Sequence, residues 1–200
     1  MPFTKRYDTF DVRGLMQISE GVESPVTNVP AHARSLHGGI VGANGAAETS
    51  AAMIHRTHKA PGETNSAFRT RGGVPQASSF QSVLQQSSAV TQALNSPQGQ
   101  AVMRIFDRGP TAHLQLRATL EVTGIIVAGF LPATGAPMVK TIHKNDHNVT
   151  IGKGIGVKVI IDRGANSQTM HIQTCFPLID SVSNSYTVFE MPTKRVIEQA

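Results

Sequence analysis

An α+β fold, in which N-terminal helices pack against a curved antiparallel β-sheet without a disulfide, is what this 200-residue sequence predicts. Three observations carry that expectation. Apolar residues recur at helical spacing up to about residue 108, short alternating or β-branched runs replace them afterwards, and there is a single cysteine, Cys175. Helices first and strands later favour an antiparallel sheet over βαβ units. With 40% hydrophobic and 16% charged residues the chain is too apolar to be disordered and long enough for one sizeable core.

The elements follow in order. Residues 1–45 hold Pro25, Pro30 and the glycines of LHGGIVGANG with no sustained period, and are expected to form an arm or linker. The stretch AAETSAAMIHRTHK fits a first helix, with Ala47, Ala51 and Ile54 on one face and Pro61-Gly62 as its stop. Residues 60–77 read as a polar loop. Ser79 is the candidate N-cap of a second helix whose face is Val83, Ser87, Val90 and Leu94. Ser96-Pro97 opens a third, since Ser caps and Pro suits the first helical position, and Gly109-Pro110 ends it. Strands are expected over residues 113–120, 123–130, 138–143, 156–162 and 170–176, within a folded unit spanning 46–190 and a C-terminal tail, 191–200.

Eighteen Lys and Arg against 13 Asp and Glu give a formal charge of +5, which suits a polyanionic partner and equally an ordinary solvated surface. No apolar stretch approaches the roughly 20 residues that cross a bilayer, and MPFTKRYDTFDVRG lacks the apolar heart of a signal peptide, so neither is expected. His55 and His58 share a helix face, as two metal ligands would, or as a basic pair at a helix C-terminus would. Lacking an identifiable third ligand, no metal centre is expected. A histidine there could instead be a general base, because imidazole exchanges protons near neutral pH. Arg69 and Arg71 lie where a guanidinium could meet phosphate or simply solvent. GKGIGVK lacks P-loop spacing and reads as a turn between strands. Lys140, Lys144, Lys153, Lys158 and Arg163 form a basic segment that suits either a phosphate rim or a lysine-protected sheet edge. In MHIQTCFP, alternation puts Ile172, Thr174 and Phe176 on one face and His171, Gln173 and Cys175 on the other, with Cys175 expected to be a buried, inert thiol.

The order of these motifs resembles the ribonuclease A-like toxin domains of bacterial contact-dependent growth inhibition and related polymorphic toxin proteins. Those domains have a histidine near the end of a first helix, an arginine about eleven residues on, A-[ST]-[ST]-F, and a terminal strand reading T-A-Y-P. Here His58 and Arg69 stand eleven apart, Ala77-Ser78-Ser79-Phe80 follows, and Thr174-Cys175-Phe176-Pro177 closes the series. The resemblance covers residues 47–179. It implies a ribonuclease A-like fold and cleavage of RNA without metal or cofactor, through attack of the ribose 2′-OH to leave a 2′,3′-cyclic phosphate. Within it His58 would be the acid/base, Arg69 the phosphate and charge stabiliser, and Thr174 a positioner of phosphate or ribose. Phe176 stands where the family commonly has a tyrosine and Met53 where it often has a further histidine, so the leaving-group proton needs another source, with His143 and Lys140 the first candidates. The resemblance also implies RNA rather than DNA as partner, an acidic immunity protein, and delivery into a target cell's cytoplasm without a classical signal peptide. Two other readings stay open: an ADP-ribosylating toxin, although its late glutamate has only Glu190 and Glu198 to draw on, both beyond the last expected strand, and a nucleic-acid-binding or interaction module with a decayed active site.

Overall fold

Capping chemistry decides where the helices begin. In the computed structural model, which describes residues 3–38, 49–128, 134–180 and 183–200, five helices start at a side chain whose oxygen accepts the amide three residues on. These are α1 (Thr9–Ser19) at Asp8, α3 (Ser50–Thr57) at Thr49, α4 (Asn65–Thr70) at Thr64, α5 (Val83–Asn95) at Ser82 and α6 (Pro97–Asp107) at Ser96. A short α2 (Ala33–His37) lies between α1 and α3. Strand β1 (Gln76–Phe80) separates α4 from α5, and after a 3₁₀ turn at Gly109–Thr111 the remaining elements are strands.

Strands β2 (Gln115–Thr123), β7 (Gly156–Arg163), β8 (His171–Leu178), β9 (Ser185–Met191) and β10 (Arg195–Gln199) make a five-stranded antiparallel sheet in the order β10-β9-β2-β7-β8. Period-2 burial makes β2 two-sided: Leu116, Ala118, Leu120 and Val122 enter the core, while Arg117, Thr119 and Glu121 stay half-buried on the other face. Helices α1, α5 and α6 cover the inner face, and Val12, Met16, Val90, Leu94, Val102 and Phe106 join the strand residues in one apolar cluster. A second antiparallel sheet, β1-β5-β6, pairs β1 with β5 (Met138–His143) and β5 with β6 (Thr150–Lys153). Helix α3 packs on it through a small cluster of Met53, Ala77 and Ile142. Strands β3 (Val127–Ala128) and β4 (Thr134–Gly135) form a minor pair.

One cation is sealed into the body. Arg163, 2% exposed, donates to the carbonyls of Phe106 (2.8 Å), Thr111 and Leu114 (3.0 Å), and so satisfies backbone oxygens that the end of α6 and the following turn leave open. Burial pushes its guanidinium pKa down from the usual value.

The α+β architecture and its antiparallel pairing agree with the sequence expectation, and several details differ, among them helix α4 within the stretch 60–77 that was expected to be a loop, and the core face of α3, which is Met53 and Thr57 while Ala51 and Ile54 are exposed. Residues 3–38 are part of the body rather than an arm: Phe3, Tyr7, Val12 and Met16 are buried, and α1 went unread because only Val12 and Met16 mark its core-facing stripe. The remainder of the expected arm, and Ala47, lie outside the described residues. Ser78, Ser79 and Phe80 belong to β1, and the cap of α5 is Ser82 instead of Ser79. The C-terminal tail includes β10, paired along β9. Finally, β8 is bulged: Ile160 opposes Thr174 while Ile161 opposes Ile172, so Gln173 is extra and Ile172 joins Cys175 in the core, apart from Thr174 and Phe176.

The first turn of α6 meets the last turn of α5 so closely that a Cβ on Gly99 would collide with the carbonyl oxygens of Ala93 and Leu94. Gly99→Ala should therefore destabilise the protein by about 1–3 kcal/mol, whereas Gly14→Ala, on the exposed face of α1 with nothing near its Cβ, should stabilise it by about 0.5–1 kcal/mol. Urea unfolding midpoints of the two variants, moving in opposite directions, are the check.

Candidate functional site

Helix α3 ends at His58, and its last carbonyls need donors. Arg71 supplies them. Its guanidinium donates to the carbonyls of His55 and His58 (2.8 Å for the latter) and grips Glu63 with two bonds, Nε to Oε1 at 2.6 Å and a terminal nitrogen to Oε2 at 2.8 Å. The Phe68 ring lies 4.9 Å from the guanidinium carbon. This fork ties the helix end, the following turn and α4 into one piece. The hydrogen bond from Arg71 holds the Glu63 carboxyl down to about 2.

With Arg71 committed, Arg69 on α4 is exposed and its side chain makes no ion pair or hydrogen bond among the described residues. It lines a hollow of about 620 Å³ together with His58, Lys59, Phe68 and Lys144. Lys59 leans on Asn65 (3.2 Å), and Lys144 is placed by its own amide, which donates to the Pro75 carbonyl (2.9 Å) just beyond β5. The sequence put Lys144 in a basic segment but gave no sign that it meets His58. Only the β1–β5 pairing, which sets Gln76 against His143, brings it there.

The protonation of His58 can be read from its neighbours. Thr57 Oγ1 has one hydrogen and gives it to the Met53 carbonyl (2.9 Å), so toward His58 Nδ1, 2.9 Å away, it can only accept. Neutral His58 therefore carries its proton on Nδ1 and keeps a lone pair on Nε2. That Nε2 has no partner and is covered from solvent.

The structure gathers His58 and Arg69 but places the other sequence candidates elsewhere. Thr174 is buried on β8 with its Oγ1 unpartnered, outside the hollow. Phe176 lines a second hollow, of about 360 Å³, with Arg56 and with His37, whose ring centroid is 5.4 Å from that of Phe176. Residues 73–76 run between the two hollows, Gly73 and Pro75 facing the first, Val74 and Gln76 the second. His143 is exposed at the end of β5, and Lys140 sits mid-strand opposite Ser79; neither lines either hollow.

His37 escaped the sequence reading because it stands in a glycine-flanked stretch with no motif. It is 7% exposed, its Nδ1 lies 2.9 Å from the Ser78 carbonyl, and burial pushes its pKa down to about 3. Cys175 is fully buried and its thiol is pushed up to about 12 by burial. Glu198 accepts from Tyr186 and Arg108 (2.8 Å each), and Glu190 from Arg195 (2.7 Å), so both late glutamates are engaged on the last two strands. Among the described residues no three His, Cys, Asp or Glu side chains gather as a metal site would require.

Two measurements check this geometry. Imidazole ¹⁵N shifts of neutral His58 should report Nδ1–H, and Thr57→Val, which removes the acceptor, should move it toward the Nε2–H form. Because the folded pKa of Glu63 is depressed, its contribution is fully present above its ordinary value of 4.5 and is lost as pH falls toward about 2. Amide exchange in residues 55–71 should accelerate across that window, as the fork with Arg71 loosens. Comparison with protein-family models, with curated proteins and with solved structures finds no match for this chain.

Proposed function

We propose that this protein is a metal-independent endoribonuclease of the toxin type. One observation carries the reading: a histidine with an unpartnered Nε2 and an arginine without a counter-ion line the same cationic hollow. RNA contains what such a pair acts on, a hydroxyl adjacent to a phosphodiester. His58 Nε2 accepts the 2′-OH proton, the freed oxygen attacks the neighbouring phosphorus, and Arg69 and Lys144 hold the charge that accumulates on the phosphoryl oxygens. In-line attack puts the leaving 5′-oxygen on the side of phosphorus away from His58, so another group gives it a proton. Lys59 and Lys144 are the remaining proton carriers of the hollow. The products are a 2′,3′-cyclic phosphate and a 5′-hydroxyl end. Since Nε2 is covered from solvent, substrate entry must uncover it.

The same cations make binding sensitive to salt, through counterion release. In a producing cell the complementary partner is an acidic protein that covers the hollow and blocks RNA. A second reading, an RNA-binding module without catalysis, is favoured by Thr174, whose buried hydroxyl lies outside the hollow.

The two readings separate in one assay. Incubated with RNA and a chelator, the protein should leave cyclic-phosphate ends. His58→Ala should lower the rate about 10²- to 10⁴-fold, the span of general acid–base assistance, with little change in unfolding midpoint, and Arg69→Ala should also slow cleavage. Intact RNA that nevertheless shifts in a gel would favour the binding module.

A further inference from the structure

Resting on the ribonuclease reading, we infer that the reaction of the first hollow stops at the 2′,3′-cyclic phosphate, and that its ends feed a reaction that rejoins RNA by opening the ring with a 5′-hydroxyl. A site that went on to hydrolyse the ring would instead leave a phosphate monoester. Which of the two it leaves depends on the proton carriers that line the hollow.

Hydrolysis is the cleavage step run backwards with water in place of the 5′-hydroxyl. The water oxygen bonds to phosphorus and gives up a proton, the bond from phosphorus to O2′ breaks, and O2′ gains a proton. His58, left protonated by the cut, can return its proton to O2′ from the side on which it took it. Water arrives in line with O2′, on the far side of phosphorus where the 5′-oxygen departed. The group that gave the leaving oxygen its proton must therefore act there as the base.

Imidazoles and carboxylates serve as bases near neutral pH, whereas an ammonium donates and does not accept unless burial drives off its proton. Beside His58, the hollow holds the ammonium groups of Lys59 and Lys144, both exposed. Of the eight histidines, all among the described residues, no other lines it; His55 and His143, near His58 and Lys144 in the chain, are exposed outside it. Among the described residues no Asp or Glu lines it either. Glu63 is gripped by Arg71, whose hydrogen bond holds its carboxyl well below the usual range, and Asp146 accepts from the His143 amide (3.1 Å). The hollow thus has an acid for the leaving oxygen and no base for water. An intact ring keeps phosphorus open to attack by a 5′-hydroxyl, which reforms the phosphodiester as O2′ leaves with a proton; a monoester would first have to be activated.

The test follows an RNA oligonucleotide through both steps, with the full-length protein, a chelator and ³¹P NMR to tell cyclic from monoester ends. Cyclic ends should accumulate, their hydrolysis slower than the cut by about 100-fold or more, the least that a general base commonly supplies. Lys59→His and Lys144→His each set an imidazole in place of an ammonium, and in one of them ring hydrolysis should rise about tenfold or more against the parent. Parent hydrolysis within about 100-fold of the cut, or no gain in either variant though both remain folded by circular dichroism, overturns the inference and leaves the ribonuclease reading standing. If the RNA stays uncut, the ribonuclease reading falls and takes the inference with it.

Discussion

His58 and Arg69, the histidine and arginine on which the first hollow depends, are both positioned by the guanidinium of Arg71. The end of α3 presents carbonyls that water would otherwise satisfy, and the turn after it carries Glu63; Arg71 reaches both at once. A lysine, with one compact charge, could not bridge two carbonyls and both oxygens of a carboxylate. The fork fixes the distance between the C-cap residue His58 and helix α4, and its commitment to Glu63 leaves Arg69, two residues away in sequence, without a counter-ion. Two arginines that look alike in the sequence thus divide into a clamp and a ligand-facing cation.

The site follows a similar economy in its histidines. Both His58 and His37 have Nδ1 turned toward a protein oxygen, the first a hydroxyl whose own proton is engaged, the second a backbone carbonyl. In each case the protein dictates the tautomer through a group that cannot donate in return. The difference lies in burial: His37 is sealed against Phe176 and Ser78, and His58 is half-buried at the end of its helix. One imidazole is suited to accept a hydrogen bond, the other a proton.

How much of this was legible in the sequence depends on whether local rules were left undisturbed. Helix α6 was, because Ser96-Pro97 both caps and starts it; β2 was, because its burial alternates with the pleat, and β5 and β7 were, because each is a short run rich in β-branched residues. Helix α1 was hidden by having two buried apolar positions, and β1 by being built of Ala and Ser, whose small side chains suit the interior between α3 and β8 without announcing a strand. The site divides in the same way. The resemblance pointed to His58 and Arg69 as a pair, and both line one hollow; the alternation of Thr174 and Phe176 pointed to a shared face, but Thr174 and Phe176 lie outside the hollow of His58, across β1.

The bulge has an effect on how the molecule meets others of its kind. Strand β8 is an edge of the five-stranded sheet, and an unprotected edge is a template for pairing with a second chain. Here the irregular spacing at Gln173 spoils the ladder, and the N-terminal segment lies over it: the His32 backbone amide donates to the Gln173 carbonyl (3.2 Å), and the Gln173 side-chain Nε2 donates to the Pro30 carbonyl (3.1 Å). Residues 19–32 therefore act as a selvage, finishing a border of the sheet that would otherwise fray into intermolecular strands. A chain in which only the stretch Pro30–His32 came away from β8 would face aggregation before it faced loss of its core.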